Sequence, residues 1–268
     1  MMTNKLFCAA LVALSTLSAA AQGPIVPVVE MKFRGLMGGV QNGKWIAPAR
    51  VAPKLKKETE FVLVGRNGVE EGGVSLGKKG EQEDVCQDFT RFEFELQKDH
   101  GVAIGTTAKW NPVPRIPKAV DLNNATYKTV IANYLKKKGI AKTTIKLTEA
   151  YRVDLEGDGS EEVILAATFY KKGLDSSAAA GDYSLVLLRK AVGQVVTDHM
   201  LTGEFVLKKV GFGAPSEHHI SAIADLNGDG KMEIVLYGFY YEGDSASAYE
   251  MRAGKPAVIE EFEIGCGV

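Results

Sequence analysis

The sequence predicts a mainly β fold with one helix, in which two copies of an acidic hairpin loop are the organising element. Three observations carry that reading. A nine-residue acidic segment occurs twice, at an offset of 71 residues. Short apolar runs rich in Val, Ile and Phe alternate with Asn-Gly and other turn-forming clusters. One stretch, 125–138, carries apolar residues at helical spacing.

The first acidic segment is Asp154-Leu155-Glu156-Gly157-Asp158-Gly159-Ser160-Glu161-Glu162, and the second is Asp225-Leu226-Asn227-Gly228-Asp229-Gly230-Lys231-Met232-Glu233. Positions 1, 3, 5 and 9 carry side-chain oxygens: Asp154, Glu156, Asp158 and Glu162, then Asp225, Asn227, Asp229 and Glu233. Position 7, Ser160 or Lys231, offers its main-chain carbonyl. Glycine at position 6 permits the sharp, positive-φ turn that lets these oxygens converge. A flexible, all-oxygen donor set suits calcium better than magnesium, which keeps its waters in a tight octahedron. The expected cofactor is therefore Ca2+, one ion per loop. An EF-hand needs a bidentate glutamate at position 12, where Leu165 and Leu236 stand instead. The runs Val163-Ile164-Leu165 and Ile234-Val235-Leu236 read as buried strands rather than helices.

Both loops resemble the Asp-x-Asx-x-Asp-Gly calcium loops of the FG-GAP and VCBS repeats, which occur in integrin-type β-propellers and in secreted bacterial proteins. The second copy matches best, with Ala222-Ile223-Ala224 leading in and Ile234-Val235-Leu236 leading out. Upstream, Phe212-Gly213-Ala214-Pro215 echoes the family name. The first copy departs at position 3, where Glu156 is longer than the usual Asp or Asn. The resemblance implies propeller-blade-like β repeats at about 145–210 and 211–262.

From the start, residues 1–21 read as a secretory signal. Lys5 supplies the positive charge, Leu6 to Leu17 the apolar stretch, and Ala19-Ala20-Ala21 a cleavage site before Gln22. The expected location is secreted or periplasmic, without membrane insertion. The full chain carries 32 basic and 33 acidic residues, and loss of Lys5 with the leader leaves 31 against 33. That near-neutral balance argues against nucleic-acid binding.

Residues 22–117 form a β-rich region of unknown family. Asn42-Gly43 and Asn67-Gly68 suit tight hairpins, and Phe61 to Val64 reads as a buried strand. Phe92, Phe94 and Leu96 alternate with Glu93 and Glu95, and a turn at Asp99-His100-Gly101 leads into Val102-Ala103-Ile104. The Gly- and charge-rich stretch 70–84 is expected to be a mobile loop. Asn111 to Pro117, with three prolines, is the expected boundary to residues 118–268. The predicted helix follows, capped by Asp121 to Asn124 and stopped by Gly139 after the solvated Lys136–Lys138 run.

After leader removal two cysteines remain, Cys86 and Cys266, which form a disulfide in an oxidising compartment or stay separate as buried thiols. Gly73-Val74-Ser75-Leu76-Gly77 matches the G-x-S-x-G pattern but lacks the strand-then-helix setting of a nucleophile elbow. His218-His219 point to opposite faces if extended, a poor zinc pair, and at least one is expected to be an exposed loop histidine. No catalytic residue is nominated. The functional expectation is a non-enzymatic calcium-binding scaffold with a protein or glycan ligand. The alternative is a glycan-acting enzyme or carbohydrate-binding protein, in which Tyr170, Tyr240 and Tyr241 would share an exposed face.

Overall fold

The computed structural model describes residues 23–80, 86, 89–95 and 103–267. The expected leader at 1–21, Leu96, the expected turn at 99–101, Val102 and positions 81–84 lie outside the described residues. The fold is mainly β, built from antiparallel sheets, none closed among the described residues.

The first sheet has seven strands: β1 (Val26–Glu30), β2 (Gly35–Gln41), β3 (Lys44–Ile46), β4 (Glu58–Gly65), β5 (Gly68–Lys79), β6 (Phe92–Phe94) and β7 (Ile104–Thr106), in the order β3-β2-β1-β7-β4-β5-β6. Asn42 and Gly43 turn β2 into β3 at φ 54° and 71°, the double positive φ that an Asn-Gly hairpin exploits. A one-turn helix, α1 (Pro48–Val51), follows β3, so the chain has a second short helix beyond the one the sequence predicts.

The expected mobile loop at 70–84 is corrected by this sheet: its first ten residues belong to β5, paired with β4 from Glu58↔Lys78 to Gly65↔Gly68. Glycine serves close packing here rather than flexibility. A Cβ on Gly77 would come within 2.7 Å of the Phe61 ring and 2.8 Å of Phe94. Ser75 lies mid-strand with its hydroxyl donating to the Glu95 carbonyl, which removes the nucleophile-elbow geometry.

The second sheet holds β8 (Lys118–Ala119), β9 (Leu147–Val153), β10 (Glu162–Phe169), β11 (Tyr183–Val192) and β12 (Val195–Phe205), in the order β12-β11-β10-β9-β8. The third runs β13 (Glu217–Ala224), β14 (Glu233–Tyr240), β15 (Gly243–Arg252) and β16 (Lys255–Val258), with β17 (Ile264–Gly267) also paired to β15. The helix α2 (Ala125–Lys137) starts where Asn124 Oδ1 accepts the Tyr127 N–H at 3.1 Å, and Gly139 at φ 93° follows its end. Its buried Ile131 and Leu135 pack on Leu165, Leu185 and Leu187 of the second sheet.

One apolar core joins all three sheets, with Val28 and Met37, Ile164 and Val186, and Ile223 and Leu236 in a single cluster. The N-terminal strands therefore share a core with the C-terminal sheets. Cys86 and Cys266 form a disulfide with Cα atoms 5.7 Å apart, tying positions 180 residues apart in sequence. Among the described residues no helix is long and apolar enough to cross a membrane.

Candidate functional site

Each acidic segment connects two antiparallel strands, β9 to β10 and β13 to β14. Position 9 is the first residue of the return strand in both: Glu162 faces Val153, and Glu233 faces Ala224. The local geometry matches almost atom for atom. The position-1 carboxylate accepts the N–H of position 4 at 2.7 Å in each loop, Gly157 to Asp154 and Gly228 to Asp225. It also accepts the N–H of position 6, Gly159 at 2.9 Å and Gly230 at 3.0 Å. The buried position-9 glutamate reaches back to the N–H of position 2, Glu162 to Leu155 at 3.0 Å and Glu233 to Leu226 at 2.8 Å. These bonds need left-handed backbone at positions 4 and 6, and Gly157, Gly159, Gly228 and Gly230 lie between φ 74° and 87°.

The loops lie side by side. Met232 N–H donates to the Leu155 carbonyl at 2.8 Å. Arg115, in the proline-rich connector, donates from Nη2 to Leu155 O at 3.1 Å and to Gly230 O at 2.8 Å, and from Nε to Asp154 O. Trp110 Nε1 donates to Asp225 O at 2.8 Å, while Asp225 N–H donates to Pro112 O. The connector expected to be a boundary thus clamps both loops.

Electrostatics separate the two copies. In the first, the Lys190 ammonium on β11 pairs with Glu156 and lies 3.3 Å from Glu162 Oε1. Lys190 is 6% exposed. Its burial lowers the ammonium pKa, and the neighbouring Asp154 carboxylate pulls it back up. Burial works against ionisation of Asp154, but the N–H groups of Gly159, Gly157 and Asp158 and the Arg115 charge hold its carboxyl below the usual range. In the second loop no Lys or Arg among the described residues forms an ion pair with Asp225, Asp229 or Glu233. Burial pushes the Glu233 carboxyl well above its ordinary value, and the charges of Asp229, Asp225 and Glu250 push the same way. Burial likewise raises Asp225.

The predicted position-5 and position-7 residues, Asp158, Ser160, Asp229 and Lys231, lie on the exposed tips. Asp158 accepts the Ser160 N–H and Asp229 the Lys231 N–H, each at 2.8 Å. Asn227 Oδ1 accepts the Asp229 N–H at 2.9 Å. Among the described residues no three His, Cys, Asp or Glu side chains form a ready cage. Arg115, Trp110 and Lys190 were not legible as partners, because nothing near them in sequence marks their contacts.

Neither histidine is the exposed loop residue expected, since both sit on β13 and are partly buried. His219 Nδ1 lies 2.8 Å from Glu149 Oε1, and Arg66 Nη1 lies 3.2 Å from Glu149 Oε2, joining all three sheets. His218 Nε2 lies 3.4 Å from Thr202 Oγ1 on the opposite side. The three tyrosines do not share one exposed face: Tyr170 is partly buried and donates its hydroxyl to Ser216 O at 2.6 Å, whereas Tyr241 packs edge-on to the exposed Phe212. Comparison with known proteins yields no matching family model, curated protein or solved structure.

Proposed function

We propose that this chain is a non-enzymatic, calcium-binding scaffold or binding protein that works outside the cytoplasm, with calcium stapling blade-like β-sheets through their acidic-loop design. One observation carries this reading. The first loop gathers its position-3 and position-9 oxygens around an ammonium, and the matching position-9 carboxylate of the second loop is buried beside Asp225 and Asp229 with no Lys or Arg among the described residues paired to it. That ammonium among the loop oxygens supports reading this loop design as one that holds a cation. In the second loop the donors are Asp225, Asn227, Asp229 and Glu233 with the Lys231 carbonyl. Because Asn227 and Asp229 lie toward the tip, binding draws them inward onto Asp225 and Glu233.

Calcium there supplies positive charge to clustered carboxylates and ties the β13–β14 hairpin to the connector held by Trp110 and Arg115. The leader sequence and the Cys86–Cys266 bridge support an oxidising compartment. The ligand class in keeping with this reading is a protein or glycan. A glycan-acting enzyme gains nothing from Ser75, which lies mid-strand, or from Glu149, whose oxygens are occupied by Arg66 and His219.

The test is a pair of melting curves, one in about 1 mM CaCl2, within the range where extracellular calcium modules work, and one in excess chelator. The chelated protein melts lower. Superimposed curves reject the proposal.

A further inference from the structure

The two loops share backbone geometry but differ at one neighbouring position. In the second sheet β10 and β11 pair with Val163 opposite Arg189, so one step on Glu162 faces Lys190. In the third sheet β14 and β15 pair with Ile234 opposite Tyr249, so the same step sets Glu233 against Glu250. The residue beside the position-9 carboxylate is thus a lysine in one copy and a glutamate in the other. Glu250 is turned to other partners: Trp45 Nε1 donates to its Oε2 at 3.2 Å, and Arg252 pairs with its Oε1.

From this difference we infer that Lys190 is the resident cation of the first loop, so that calcium enters the second loop alone. The inference rests on the calcium reading above and assigns its stoichiometry. A lysine ammonium offers three N–H donors, and Lys190 forms ion pairs with both Glu156 and Glu162. A divalent ion at those oxygens would have to displace an ammonium that is nearly fully buried and tethered to strand β11, or share a few ångströms with it. Like charges at that separation repel strongly away from bulk water. In the second loop no Lys or Arg among the described residues pairs with Asp225, Asp229 or Glu233, and Glu250 adds negative potential. Glu156 at position 3 fits the same account, because its extra methylene lets the carboxylate reach the ammonium on the neighbouring strand.

The test is calcium calorimetry on the mature chain. One site is expected in the wild type, abolished by Asp229→Ala and retained in Asp158→Ala. Lys190→Met, close in volume and uncharged, is expected to show two sites, with affinity in the first loop raised on the order of 100-fold or more. Lys190→Arg should keep one. Two sites in the wild type, or a site surviving in Asp229→Ala, overturn the inference and leave the calcium reading standing. A single site in folded Lys190→Met also overturns it. No site in either wild type or Lys190→Met sinks both. Should Lys190→Met fail to fold, the Asp229→Ala result decides alone. Terbium gives a second readout: a Cβ on Gly228 would lie 3.2 Å from the Trp110 ring, so sensitised emission should report the second loop and vanish in Trp110→Phe.

Discussion

Met232 and Leu155 join the two acidic loops through one main-chain hydrogen bond, N–H to carbonyl at 2.8 Å. Two segments related by sequence similarity are therefore also in contact, and the loops form one structural unit rather than two surface hairpins. The carbonyls of Asp154, Leu155 and Gly230 accept from the Arg115 guanidinium.

Arg115→Ala is expected to lower stability by about 2 kcal/mol, since it removes charge-assisted bonds to three loop carbonyls. Lysine at this position should rescue only part of the loss, because a point charge cannot reproduce the planar fork. Urea unfolding of the three proteins decides it, and an unchanged midpoint for Arg115→Ala would remove the clamp from the account.

Calcium should stabilise through the second loop. For a dissociation constant near 10⁻⁴ M and about 1 mM free ion, linkage gives roughly 1.4 kcal/mol. Asp229→Ala should abolish the shift in melting temperature on calcium addition. A variant still stabilised as much as the wild type would place the ion elsewhere.

Reduction of Cys86–Cys266 should cost roughly 2–5 kcal/mol, because the bridge closes a long loop and so restricts the unfolded chain. Comparing Cys86→Ala/Cys266→Ala with the oxidised wild type measures it. Equal stability would mean the three-sheet core alone holds these ends together.

Two buried groups predict opposing pH trends. Burial pushes the Glu30 carboxyl from 4.5 to about 7, against hydrogen bonds from Ser221 and the Phe33 and Lys32 N–H groups and with the neighbouring Asp244 charge. The folded state keeps a proton that the unfolded chain has released, so this contribution is full below pH 4.5 and is lost as pH rises to 7. Burial lowers His218 from 6.5 to about 4, with His219 adding to the shift. Its contribution is present above 6.5 and lost as pH falls toward 4. Each amounts to about 3 kcal/mol, and in the shared window they offset. Glu30→Gln should leave stability rising with pH between 5 and 7, and His218→Gln should leave it falling. Parallel profiles for the two variants would contradict the assignment.

Local chemistry made much of this molecule legible. The Asp-x-Asx-x-Asp-Gly spacing located both loops, because a carboxylate that caps the N–H groups three and five residues on requires glycine within the same few residues. The Asn42-Gly43 hairpin, the Asn124 cap and the strands after each loop follow from short-range rules of the same kind. The stretch from Glu70 misled, because glycine beside charge reads as a loop until the Phe61 and Phe94 rings that need the space are known.

By itself the sequence determined a mainly β chain, its two matched acidic loops and the oxygen chemistry they carry. Only the tertiary structure decided what surrounds them. Trp110 meets Asp225 and Arg115 meets Gly230 across 115 residues, and Lys190 reaches Glu162 from the adjoining strand. Such partners are chosen by strand register and sheet packing, which bring together residues with no mutual spacing rule. Nearly identical loops thus acquire different charge environments, one supplied with its own ammonium and the other, among the described residues, with no Lys or Arg paired to its carboxylates.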